Sequence, residues 1–258
     1  MKLKLKHIFI LFFFLFKGTS PIYSQEEYMD LLLLFVDEKY DICFSKSMKY
    51  TQKDKTKNHP LPYLYLAMSS FEMSQDHKYT NLHPKAYKTA ISFTAKYRKK
   101  DKVYKYKTDA APFIDKFKLI LMEDIENYMM EKTESSYSKA ASISKKTCDM
   151  DPDDYGAKLL YGHLCNLTKN KSTAKEYLKI SKEKLAEMAE NKFGLKYLTK
   201  SQQFILRYSL TELASFYQTK NPAQSKEILE LGKHFFYAEN EDSKIEYTQD
   251  YKAFYDRL

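Results

Sequence analysis

Residues 121–154, LMEDIENYMMEKTESSYSKAASISKKTCDMDPDD, and residues 155–188, YGAKLLYGHLCNLTKNKSTAKEYLKISKEKLAEM, decide how this chain folds. Each stretch is 34 residues long, and the second follows the first without a gap. Apolar residues recur at helical spacing on both sides of a short polar turn, so each reads as helix, tight turn, helix. Ala140 and Ala174 hold equivalent places in the second helix of each unit. Asp151-Pro152 closes the first unit, because proline lacks a backbone donor and restricts the residue before it. A helical hairpin that cannot bury its own apolar face must stack on a neighbour, so this period implies a helical solenoid.

Composition supports the same fold class. The chain has five glycines, one of them at Gly18, while Leu, Ala, Lys, Glu and Met are plentiful. Such a chain favours helix and lacks the turn chemistry that sheets need. No strand-like alternation flanked by Gly or Asn pairs occurs, and the expectation is an all-α protein.

Ser135–Ala174 resembles the tetratricopeptide repeat (TPR) family. Tyr137, Ala140, Asp151 and Pro152 match the second half of one repeat, and Gly162 and Ala174 match the close-packing positions of the next. Small residues are needed there because two helices cross at short range. Weaker copies flank this pair. Upstream, Tyr63, Leu66 and Ala67 suit a first helix, and Ala90 and Tyr97 its partner, across a long loop at about Gln75–Pro84. Tyr28–Val36 and Tyr40–Tyr50 form another pair around Asp37-Glu38-Lys39. Downstream, Leu210, Leu213, Ala214 and Tyr217 suit a first helix, and Asn221-Pro222 opens a second that carries Ile228, Leu229 and Gly232. Tyr161 departs from the family's usual Leu, and the first helix of the 121–154 unit lacks the large–Leu–small signature. The resemblance implies a TPR-like superhelical solenoid of about five hairpins with irregular spacing. Lys179–Asn191 reads as a long exposed helix, and Tyr251, Phe254 and Tyr255 as a short helix capping the solenoid's open end.

Residues 1–24 read as a secretory signal peptide. Lys2, Lys4 and Lys6 precede the apolar run Ile8–Phe16, and Lys17-Gly18-Thr19-Ser20 then turns polar. Nine apolar residues fall short of the roughly 20 that span a bilayer. Cleavage is expected after Ser24, with Ser20 the competing site, leaving a helical-repeat domain over 25–258. The segment carries four lysines and no acid, so the formal charge drops from +9 to +5 on its removal. The expected location is periplasmic or secreted, with no transmembrane segment after signal removal. Three cysteines, Cys43, Cys148 and Cys165, leave at least one unpaired. A Cys148–Cys165 bridge and buried free thiols both remain open.

Catalytic, cofactor-binding and metal-binding residues are not expected. The acidic run Asp149–Gly156 fails as an EF-hand loop, since Asp154 and Leu160 occupy the glycine and bidentate-glutamate positions. It reads instead as an inter-repeat turn whose acids favour the start of the next helix. Nothing forces His59, His77, His83 and Asp76 to converge on a metal, and His163 and Cys165 diverge on one helix. No GxSxG, P-loop or GxGxxG sequence is present. A hydrolase with a dispersed active site would need a cleft of buried carboxylates.

The strongest partner-binding signal is KYRKKDKVYKYK, residues 96–107. Lys96, Arg98, Lys99, Lys100, Lys102, Lys105 and Lys107 are interleaved with Tyr97, Tyr104 and Tyr106 around one acid, Asp101. Charge could hold an anionic surface while the rings stack or embed, although charge runs are commonly solvated linkers. The expected function is an exported, non-enzymatic scaffold that binds a protein or peptide partner of the cell envelope in a groove lined by first helices. The alternative is binding of an anionic envelope glycan or lipid surface through residues 96–107. Nucleic acid is not expected as a partner.

Overall fold

The computed structural model describes residues 28–239 and 245–247. The signal peptide expected over 1–24 and the capping residues Tyr251, Phe254 and Tyr255 lie outside them. Among the described residues there are ten α-helices: α1 (Met29–Val36), α2 (Tyr40–Gln52), α3 (Pro60–Gln75), α4 (Ala86–Lys100) and α5 (Lys107–Glu131). They continue with α6 (Glu134–Met150), α7 (Tyr155–Leu167), α8 (Lys171–Glu190), α9 (Lys200–Gln218) and α10 (Pro222–Lys233). Single 3-10 turns at His77–Tyr79 and Leu195–Tyr197 fall in the two longest connections. None of the described helices is long and apolar enough to cross a membrane.

Side-chain caps set several helix starts, satisfying backbone N–H groups that have no partner within the helix. The Thr133 and Thr199 hydroxyls begin α6 and α9 in capping boxes with Ser136 and Gln202. Asp154, Asn170 and Asn221 cap α7, α8 and α10, with Pro222 at the first turn of the last. Glycine is scarce, so the tight turns inside three hairpins use Glu38, Lys132 and Lys169 in the left-handed region, at φ 58°, 52° and 63°. Non-glycine residues enter that region at a steric cost.

Consecutive helices pair as α1–α2, α3–α4, α5–α6, α7–α8 and α9–α10, and α2–α3 and α6–α7 pack between pairs. Second-neighbour packing joins α1 to α3, α4 to α6, α7 to α9 and α8 to α10, and α9 also reaches back to α5. A chain of apolar clusters runs through the body, from Leu31, Leu64 and Tyr97 to Leu206, Leu213 and Phe235. Where α7 crosses α9, Gly156 has no room for a Cβ, which would stand 2.6 Å from the Leu206 Cα. At Gly162 the contact is with Leu178 of α8, 3.0 Å from the same notional atom. Ala140 and Ala174 are buried in α6 and α8, as the repeat spacing predicts.

The described elements are helical apart from one small hairpin, in keeping with the all-α class, and two narrower expectations need correcting. The described residues include two three-residue strands, Tyr237–Glu239 (β1) and Ile245–Tyr247 (β2), paired antiparallel with Ala238 opposite Glu246. Both are short segments with aromatic or β-branched residues of strand-favouring type, too short to show the alternation sought in the sequence. The 179–191 stretch is not exposed all round, because Ser181 and Leu185 are buried. The first helix of the 121–154 unit begins at Lys107, well before Leu121.

Candidate functional site

The turn between α4 and α5 is built around the one acid of the basic segment. Asp101 is buried, and its carboxylate accepts from the Tyr97 hydroxyl (3.1 Å), the Lys105 N–H (2.8 Å) and the Tyr106 N–H (3.1 Å). Arg98, only 7% exposed, adds an ion pair at 3.4 Å and lies with its guanidinium 3.5 Å from the centre of the Tyr104 ring. Tyr104 itself has φ 58°. Tyr97 and Tyr106 are buried, the latter bonded through its hydroxyl to the His59 ring at 2.9 Å. Burial, reinforced by Asp101, pushes the Tyr97 phenol well up.

The ten candidate residues therefore divide. Tyr97, Arg98 and Tyr106 face the interior, while Lys96, Lys99, Lys102, Lys105 and Lys107 are exposed. Lys100 is half-buried and donates to Asn58 at 2.7 Å. Tyr104 is half-buried beside Lys107, whose ammonium is 5.4 Å from the same ring.

Tyr97, Arg98, Tyr104 and Lys107 form one wall of a cavity of about 560 Å³ that is open to solvent. The α4–α5, α6–α7 and α8–α9 turns all border it, so it lies where the first helices α5, α7 and α9 begin. Ala110, Ile114 and Asp115 of α5 form a second wall. Met188, Phe193, Tyr197 and Leu198, at and beyond the end of α8, form a third. Phe193 (37% exposed) and Tyr197 (56% exposed) stack on each other at 4.6 Å and 22°.

The floor holds a buried ion cluster. Lys118 of α5 is 0% exposed, and its ammonium donates to Asp151 at 2.7 Å and Asp154 at 2.6 Å. Gln202 of α9 donates to the same Asp151 oxygen at 2.9 Å. Asp115 receives the Ser201 N–H at 2.9 Å. One cluster thus ties α5, the α6–α7 turn and the start of α9 together. Burial alone would lower the Lys118 pKa, but Asp154 and Asp151 outweigh it and raise it. At Asp151 burial is likewise overcome by Lys118, and the carboxyl is lowered. At Asp154 burial, aided by the neighbouring Asp151 charge, prevails over Lys118 and raises it. At Asp115 burial is overcome by bonds from Ser201 and Thr199, and the pKa falls.

Two carboxyls driven apart in pKa is the pattern of acid–base chemistry. Here, however, Asp154 is 2% exposed and outside the cavity lining, with one oxygen on Lys118 and the other capping Ala157 N–H at 2.8 Å. The arrangement is that of a structural latch, and of its two carboxyls Asp151 alone lines the opening. No protein-family model, curated protein or solved structure matches this chain.

Other sequence candidates stay dispersed. His59 caps α3 through Leu61 N–H, and His83 packs edge-on to Phe44. Among the described residues no group of three His, Cys, Asp or Glu side chains is placed to hold a metal. Cys43, Cys148 and Cys165 are all buried free thiols. Lys118, Asp115, Gln202 and the Phe193–Tyr197 stack were not singled out in the sequence. A usable signal existed for Lys118, since it interrupts the apolar stripe Ile114, Phe117, Leu121, Ile125. A cation there must be buried with a partner.

Proposed function

We propose that this chain is an exported, non-enzymatic scaffold with TPR-like superhelical stacking that binds a protein or peptide partner of the cell envelope in the cleft between its inter-hairpin turns. The carrying observation is the cleft itself: about 560 Å³, open to solvent, with an exposed stacked aromatic pair on its wall. That volume falls in the usual range of ligand sites, and rigid helix starts on three sides hold its walls in place. Aromatic rings at a solvent-facing rim supply contact area at low entropic cost. Export rests on the lysine-flanked apolar run at residues 2–17.

The exposed lysines at 96, 99, 102, 105 and 107 favour a second reading, contact with an anionic envelope glycan or lipid surface. One experiment separates the two. A photo-crosslinking amino acid placed at Phe193 is irradiated in envelope extract, at low and high salt, beside the variant Lys99→Gln/Lys102→Gln/Lys105→Gln. A discrete protein adduct that survives high salt and the triple variant is the expected result. Adducts lost under both conditions would transfer the function to the lysine surface, because exposed charge contacts are screened by salt.

A further inference from the structure

The sign of the charge around the cleft indicates what it would take. Its lining carries three cations, Arg98, Lys107 and Lys118, and three carboxylates, Asp115, Asp151 and Asp153. Two of those cations are neutralised from behind, Arg98 by Asp101 and Lys118 by Asp154 as well as Asp151. Adding Asp101, and leaving aside Asp154, which lies outside the lining with its carboxyl raised by burial, gives three positive side chains against four negative ones. Lys107 lines the cleft from its exposed edge, as Asp153 does, and Lys196 rests against the Tyr197 ring, 5.3 Å from its centre, without entering the lining. Asp153 stands exposed at the opening, and burial together with Asp153 raises the pKa of the Tyr104 phenol.

Around these carboxylates the walls are aromatic and aliphatic: Tyr104, Tyr155, Phe193, Tyr197, Met188 and Leu198. Excess negative charge within such walls is complementary to a cation carried on an apolar stem. Ring faces attract the cation, and the stem can lie along apolar surface. Resting on the reading of the cleft as a peptide site, we infer that it accepts a lysine or arginine side chain of an extended partner segment. The charged end lies between Asp153 and Asp151, and the methylene stem runs along Met188 and Phe193. The open side gives the rest of the segment an exit, and the exposed Phe193–Tyr197 stack offers a surface for its flanking apolar residues.

Fluorescence anisotropy with three labelled, end-blocked pentapeptides tests this. Their sequence is Gly-Phe-X-Phe-Gly, with X lysine, glutamine or glutamate. The lysine peptide is expected to bind best and the glutamate peptide worst, about tenfold apart at low salt and less at high salt. Lys107→Glu should tighten the lysine peptide about threefold, and Asp153→Asn should weaken it by a similar factor. Both positions are exposed, so neither change threatens the fold. Preference for the glutamate peptide, equal binding of all three, or weakening by Lys107→Glu would overturn the inference while leaving a peptide cleft standing. Butylammonium binding as tightly as the lysine peptide would also overturn it, since the site would then take a free amine. Absence of binding by every peptide, with helical circular dichroism intact, would overturn the peptide cleft as well.

Discussion

Lys118→Met removes the cation beneath the cleft and leaves the shape of the side chain nearly unchanged. Asp154 would then keep a carboxylate that is 2% exposed, with no positive partner on Oδ2. Removing one member of a buried pair costs about 3–5 kcal/mol, mostly from the charge left behind. That is a large share of the ~5–15 kcal/mol that holds a domain folded. For a chain of this size it corresponds to a fall of about 10 °C in Tm, read by circular dichroism at neutral pH.

Adding Asp154→Asn removes the stranded charge and keeps an oxygen to cap Ala157 N–H. The double variant should therefore recover about 2 kcal/mol of the loss. The pH dependence follows from the directions of the shifts. Lys118 is raised, so its contribution is complete below the unfolded lysine value and lost only as pH rises through the folded one. Asp151 is lowered, so its contribution holds above the unfolded carboxylate value and is lost as pH falls through the folded one. Asp154 is raised, so the folded state takes its proton first, and falling pH relieves the stranded charge in the variant. The gap between wild type and Lys118→Met should narrow from neutral pH toward the carboxylate range. A loss under about 1 kcal/mol, or no recovery in the double variant, would refute the latch.

Gly156→Ala should cost about 3 kcal/mol in urea denaturation, because the new Cβ meets the Leu206 backbone at 2.6 Å; a neutral result would show that α7 and α9 can separate without loss. His163 is buried against the Phe216 ring, and burial, with Lys220 adding, lowers its pKa to about 4. Stability should therefore fall by about 3 kcal/mol as pH drops from the unfolded value near 6.5 to about 4, and His163→Leu should remove that part of the slope. Lys132→Gly should raise Tm slightly, by no more than about 1 kcal/mol equivalent, since relief of the φ 52° conformation outweighs the chain entropy that glycine adds. A lower Tm would place the strain elsewhere.

The helical hairpins were legible in the sequence because their determinants are local. Apolar spacing and the caps at Asp154 and Asn221 lie within a turn or two of what they specify, and Gly162 meets Leu178 of the partner helix in its own hairpin. The basic segment was visible too, as a run of charge. Its division into buried Tyr97, Arg98 and Tyr106 and exposed lysines was not, because Asp101 collects partners that only the folded turn brings together. The cleft was beyond sequence reading for the same reason on a larger scale. Lys118 and Asp154 are 36 residues apart, Asp151 and Gln202 51, and Asp115 and Ser201 86. No periodicity links such positions. Sequence by itself determined helix, turn and hairpin, since those depend on neighbours along the chain. The tertiary structure decided which charges are buried, which lysines reach solvent and where three turns enclose a cleft, because those depend on how α9 packs back against α5 and α7.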